Sequence, residues 1–272
     1  MTASTLRRLP FLAIALALPI QVAAAQQRRT DFHWDRRVSG GGRVSVHNIS
    51  GDVTVLPSSS GRVEVTGTKR GNSRYFDDIT AEVKETRDGL VICVVRRDSD
   101  DECDEDGLRS HNRNRHDDDD RWGRVSMDLE VRIPGNLEVS ANSVSGDVSV
   151  SGAQGDVRAT SVSGDVKLDR LRATSVHANS VSGDVTASIE SLGGRGDLSF
   201  KTVSGDVVLT LPRTLDADLS MSSVSGHLDS DYELSLSGGR MDRRRIEARI
   251  GRGGRELAVS TVSGDVRLRS IR

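Results

Sequence analysis

The sequence predicts an all-β protein: a single-stranded parallel β-solenoid, β-helix-like, with rungs of 18–22 residues and capping strands at its N-terminal end. Two observations predict it: one hexapeptide returns along the chain, and large side chains are scarce. Ser143-Val-Ser-Gly-Asp-Val148 recurs at 161–166, 180–185, 202–207, 223–228 and 261–266, and an early copy reads Asn48-Ile-Ser-Gly-Asp-Val53. The repeat glycines are Gly51, Gly146, Gly164, Gly183, Gly205, Gly226 and Gly264. From Gly146 onward they are spaced by 18, 19, 22, 21 and 38 residues, the last interval reading as two turns with one degenerate unit. Such self-similarity marks units that bury their apolar face only by stacking on one another. Aromatic residues make up 3% of the chain, too few to fill a compact globule but enough beside a thin stack of Val and Leu.

Each element follows from its residues. In the unit that starts at Val144, one parity holds Val144, Gly146, Val148 and Val150, and the other holds Ser145, Asp147 and Ser149. A period of two turns the valines inward and the Ser/Asp set outward, with Gly at a thin place or a corner. Upstream, residues 43–47, 53–56, 63–69, 79–85 and 90–96 are Val-rich runs between Gly, Asp and Ser, and read as strands. Residues 124–133 alternate Val125, Met127, Leu129, Val131 and Ile133 until Pro134-Gly135 stops them. Half-units of the repeat stand at Gly155-Asp156 and Gly196-Asp197, and a helical turn is expected only around residues 240–250.

Residues 1–25 carry Arg7 and Arg8, an apolar run from Leu9 to Ile20, and Ala23-Ala24-Ala25. That is the order of a secretory signal peptide, cut from a domain spanning 26–272. The run is broken by Pro10 and Pro19 and is short for a membrane span, and no later stretch could cross a bilayer. Export to the periplasm, the cell surface or the medium is therefore expected. Loss of this leader takes the net charge from −2 to −4. Residues 98–120 hold 11 acids against 3 arginines and read as a flexible acidic insert. Cys93 and Cys103 face an oxidising compartment, where a bridge between them would contribute roughly 2–3 kcal/mol.

Candidate chemistry is sparse. Stacked rungs would bring Asp147, Asp165, Asp184 and Asp206 into a like-charge column. Each carboxylate then either caps its own turn, the favoured reading, or shares a cation such as calcium. Asp104 and Asp106 sit in a run resembling a calcium loop, but its twelfth position is Arg113 where a bidentate Glu is needed. His111 and His116 beside Asp117–Asp120 are a weak transition-metal alternative. Arg195-Gly196-Asp197 spells an integrin-adhesion tripeptide but coincides with a half-unit of the repeat. The seven arginines of residues 240–255 read as a solvated edge, without the aromatic interleaving of a nucleic-acid surface. No serine lies in a nucleophile elbow, and a polysaccharide-cleaving β-helix would need aromatic platforms, so no enzyme is expected.

The stretch GRVSVHNISGDVTV, the strand ending in VRIPGNLEVSANSVSGDVSV, and the later SVSGDV copies resemble the DUF4097 family of bacterial adhesins over residues 38–272. The resemblance implies a β-solenoid of the cell envelope or exterior and transfers no catalytic residue. The expected function is a non-catalytic exported adhesin or envelope scaffold meeting a protein or glycan ligand, with no cofactor. A periplasmic envelope-stress or signalling accessory and a calcium-stabilised β-roll are the alternatives.

Overall fold

The computed structural model describes residues 31–38, 41–97, 101–104, 107–110, 125–236 and 241–271; the expected leader lies outside them. In chain order the first strands are β1 Phe32–Arg36, β2 Arg43–Ser50, β3 Val53–Pro57, β4 Val63–Gly71, β5 Ile79–Thr86, β6 Gly89–Arg96, β7 Asp101–Asp104, β8 Gly107–Ser110 and β9 Val125–Ile133. The repeat region supplies β10 Glu138–Ser145, β11 Val148–Ser151, β12 Val157–Ser163, β13 Val166–Ala173, β14 Val176–Ser182, β15 Val185–Leu192, β16 Leu198–Lys201 and β17 Val207–Leu211. The last are β18 Ala217–Ser225, β19 Leu228–Ser230, β20 Arg245–Ile250, β21 Glu256–Ser263 and β22 Val266–Ser270. The runs read as strands upstream of the repeats all form strands, extended by a few residues.

Two ten-stranded sheets result, one ordered β1-β4-β9-β3-β11-β13-β15-β17-β22-β19 and the other β20-β18-β21-β16-β14-β12-β10-β2-β6-β5. At each Ser-Gly-Asp corner the chain passes from the second sheet into the first, as from β12 to β13. Rungs stack in parallel register: Val148, Val166, Val185, Val207 and Val266 align in the first sheet. In the second sheet Val139, Val157, Val176, Leu198 and Leu257 align in the same way. These ten side chains are buried and belong to one continuous core between the sheets.

The fold is all-β, but it is not a single-stranded parallel coil throughout, because both sheets are mixed. β4 pairs antiparallel with β1 and β9, β5 with β6, and β20 with β18. Stacking order also departs from chain order at both ends. The β6/β9 rung lies outside β2/β3, and β21/β22 slots between β16/β17 and β18/β19. The 38-residue interval before Gly264 is therefore not two turns. The chain moves out to β18/β19, reverses antiparallel along β20, and re-enters one rung inward. A terminal rung otherwise presents a row of unpaired amides and carbonyls, and reversed strands cover β9, β6 and β18, while β19 stays at the edge of its sheet. The turn expected as helical around 240–250 contains β20, whose Ile246, Ala248 and Ile250 alternate toward the core against Arg245, Glu247 and Arg249.

Alternation fails at the corner. Val144 was expected inside, yet Ser143 is buried and Val144 exposed, and the same holds in the later copies. The backbone bends between Ser143 and Val148, so parity does not carry across it. The glycine column has a steric cause: at Gly183, φ is +156°, and an added Cβ would collide with the Gly164 carbonyl of the adjacent rung. We expect Gly183→Ala to cost at least about 3 kcal/mol, because strain and the collision with backbone add. Val166→Asp, which puts an unpaired charge in the core, should abolish the cooperative melt followed by circular dichroism.

Candidate functional site

The Asp column expected from the repeats is present, and its bonding is between rungs. Asp147 Oδ1 accepts the amide of Asp165 at 2.8 Å, Asp165 Oδ1 that of Asp184 at 2.8 Å, and Asp184 Oδ1 that of Asp206 at 2.8 Å. The ladder continues to both ends. Asp128 Oδ1 takes the amide of Asp52, and Asp52 Oδ1 that of Asp147. Asp206 Oδ1 takes the amide of Asp265, and Asp265 Oδ1 that of His227. The expected cap on each residue's own turn is thus replaced by a cap on the next rung. The reason lies in the backbone: each Asp carbonyl accepts from the Val that follows the Asp of the adjacent rung, as in Val148 N to Asp165 O at 2.9 Å. The Asp amide on the other side has no carbonyl opposite it, and the carboxylate supplies the acceptor.

A second column runs inside the corner. Ser143, Ser161, Ser180, Thr202, Thr261 and Ser223 are buried and donate their hydroxyls at 2.8–3.0 Å to the glycine carbonyls of adjacent rungs. Asn48 replaces the hydroxyl in the early copy, and its Nδ2 reaches both Gly51 O and Met127 O. The longer amide spans to β9, which carries Met127-Asp128 where other rungs carry Gly-Asp. In Ser-Val-Ser-Gly-Asp-Val the first Ser, the Gly and the Asp thus build the corner and the last Val enters the core, while the first Val and the second Ser turn their side chains outward.

The half-units build the opposite corner. Asp156 Oδ1 accepts the amide of Ser175, and Val176 donates to Asp197 O. Arg195-Gly196-Asp197 therefore lies in a structural turn. Sequence reasoning missed Arg255, read as part of a solvated edge. It is buried, and its guanidinium donates to the carbonyls of Thr174, Gly193, Gly194 and Gly196 at 2.5–2.7 Å. A single planar fork satisfies four turn carbonyls. Burial pushes its pKa down, and Asp197 pulls against that.

The acidic insert enters the corner of the β6/β9 rung, between β6 and the Met127-Asp128 that stands where other rungs carry Gly-Asp. Its described part is the β7–β8 hairpin, joined to β6 by a Cys93–Cys103 disulfide. Val91, Cys93, Val95 and Cys103 form a small buried cluster with Leu108 packed on it, so β6 is apolar on both faces. His47 lies beneath Gly107, and burial lowers its pKa against the pull of Asp104. Among the metal candidates, Asp104 is 2.7 Å from Arg109, and Asp206 is 2.9 Å from Arg267 Nη1. Asp106, His111, His116 and Asp117–Asp120 lie outside the described residues. Among the described residues no three His, Cys, Asp or Glu side chains group as a metal centre. At the N-terminal end a cleft lined by Arg36, Arg37, Arg87 and Asp88 is crossed by Arg36–Glu85 and Arg43–Glu138 ion pairs.

Asp265 is held below the usual carboxylate range, first by the His227 amide, and Asp216 and Asp218 by the amides of Arg252 and Gly254. A depressed native pKa contributes stability that is complete above the unfolded value of about 4 and lost as pH falls through the native value. Thermal midpoints should therefore hold from pH 7 to 5 and fall below pH 4. Asp165→Ala should cost about 1 kcal/mol by orphaning the Asp184 amide, while Asp165→Asn, which keeps an acceptor oxygen, should cost less.

No curated protein matches the chain. Solved structures resemble it, among them these two. One is a "putative cell adhesion protein" from Clostridium sporogenes, 9% identical, covering 88% of this chain and 99% of its own, with a TM-score of 0.45. The other is a "putative adhesin" from Bacteroides fragilis, 15% identical, covering 88% of this chain and 96% of its own, with a TM-score of 0.40. The family model described as Toastrack DUF4097 matches residues 36–269, and over that span the chain belongs to the Toastrack DUF4097 family.

Proposed function

We propose that the protein is a non-catalytic, exported, adhesin-like module of the cell envelope, in which stacked rungs hold a regular outer surface against a protein or glycan partner. The observation that supports this reading most is the use made of its polar residues. The column carboxylates and corner hydroxyls, the groups a catalytic or metal site would draw on, are committed to backbone amides and carbonyls of neighbouring rungs. Such ladders stiffen a frame and leave its outer rows to vary. The secretory leader read in residues 1–25 and a bridged cysteine pair both suit an oxidising compartment outside the cytoplasm.

Beads coated with the protein should attach to bacterial cells or immobilised glycans, and bare beads should not. Capture of one soluble periplasmic protein without attachment would favour an envelope-signalling accessory instead. Thermal midpoints in excess calcium and in chelator should agree, because one oxygen of each ladder carboxylate already takes a backbone amide. A midpoint raised by many degrees in calcium would make the column a cation site.

A further inference from the structure

The one apolar motif position that faces outward forms a surface of its own. Val144, Val162, Val181, Val203, Val262 and Val224 follow one another along the outer face of the second sheet, each 42–55% exposed. Their neighbours in register, Ser143 with Ser161 and Ser145 with Ser163, fix the row as a straight line across the rungs. The half-buried Ile49 continues it at the N-terminal end. No ladder needs this side chain, and Thr would serve the extended backbone equally well. The chain nevertheless repeats a branched apolar residue in every copy. At the β6/β9 rung the chain covers the row itself: Val95, two residues past the Cys93 that pairs with His47, is buried in the cluster with Cys103.

We infer that this valine row is a self-association surface, occupied by the same row of a second copy of the chain. The inference rests on the interaction-module reading above and names its partner. Three features favour a second copy. Rungs repeat at about 4.8 Å, and only another such stack presents apolar side chains at a matching interval over seven positions. The row exposes on the order of 400 Å², a patch of functional size but below the roughly 800 Å² per partner of a standard stable complex. The contact is thus weak in solution and gains strength where many copies are displayed together. Charge selects the orientation. The Asp147, Asp165 and Asp184 column lies on one side of the row, and the outward Asn142, Thr160, Asn179 and Lys201 lie on the other. A two-fold axis parallel to the row sets each Asp column over the other copy's Asn/Thr/Lys row, whereas a perpendicular axis sets Asp over Asp.

The test is sedimentation of the mature protein from about 1 µM to 1 mM, beside a variant carrying Val144→Thr, Val162→Thr, Val181→Thr and Val203→Thr. The expected result is a concentration-dependent dimer, weaker than micromolar, that the variant loses while keeping the wild-type melting midpoint. A wild type that stays monomeric to 1 mM, or a dimer that survives in the variant, overturns the inference. If the variant melts early, the single changes Val162→Thr and Val181→Thr are measured instead, and an unchanged dimer in both overturns it. Bead attachment to cells separates the two readings. Attachment by a protein that does not self-associate sinks only the valine row, and self-association without attachment sinks only the adhesin-like function.

Discussion

At each Ser-Gly-Asp corner the backbones of neighbouring rungs approach so closely that no side chain fits between them. Gly164 and Gly183 are pressed against the carbonyls of Gly146 and Gly164, and the same contact repeats along the column. This approach creates two needs at once. The glycine carbonyl loses a backbone donor, and the Asp amide loses a backbone acceptor. The first is met by the buried Ser or Thr hydroxyl five residues before the Asp-following valine, the second by the Asp carboxylate of the rung alongside. Ser-x-Ser-Gly-Asp is therefore one solution to one steric condition, repeated because the condition repeats.

A frame closed in this way leaves two weak places, its ends and its outer rows. The ends are handled by reversing the chain. β4, β5 and β20 run antiparallel, and the last rung in sequence, β21/β22, enters one step inward from the end of the stack. Where the ladder reaches its final rung, His227 stands in place of Asp and donates its amide without having to accept one. Arg267 joins Asp206 and Asp265 at that end, and Arg70 joins Asp128 at the other, so the column's charge is met at its two extremities. The outer rows carry no such duty, which is why they are free to serve contact.

The acidic insert shows how the same frame takes an irregular piece. It replaces the corner of a single rung, and it folds a hairpin back over β6, held by the disulfide and by a handful of apolar contacts. Val91 and Val95 thereby gain cover that the same positions of the other rungs do not have.

Much of this was legible in the residues alone. The all-β character, the strands from β2 to β6, β9, and the glycine and aspartate columns follow from a hexapeptide whose period is unmistakable, because identical units must stack on identical units. The disulfide was open, since Cys93 reads as core and Cys103 as acidic loop, and only the hairpin's fold back over the sheet brings them together. Alternation placed Val144 inside, and it is outside, because a period of two holds along a strand but not around a bend. Chain order suggested sequential winding, and the end rungs are exchanged, because edge strands are satisfied by whichever segment can reach them. Arg255 looked like one more surface arginine until the turns at Thr174 and Gly193–Gly196 closed around it. Local repetition thus determined what each rung is made of, while the partners of the corner, the ends and the buried Arg255 were decided only by segments far apart in sequence competing for the same unpaired backbone groups.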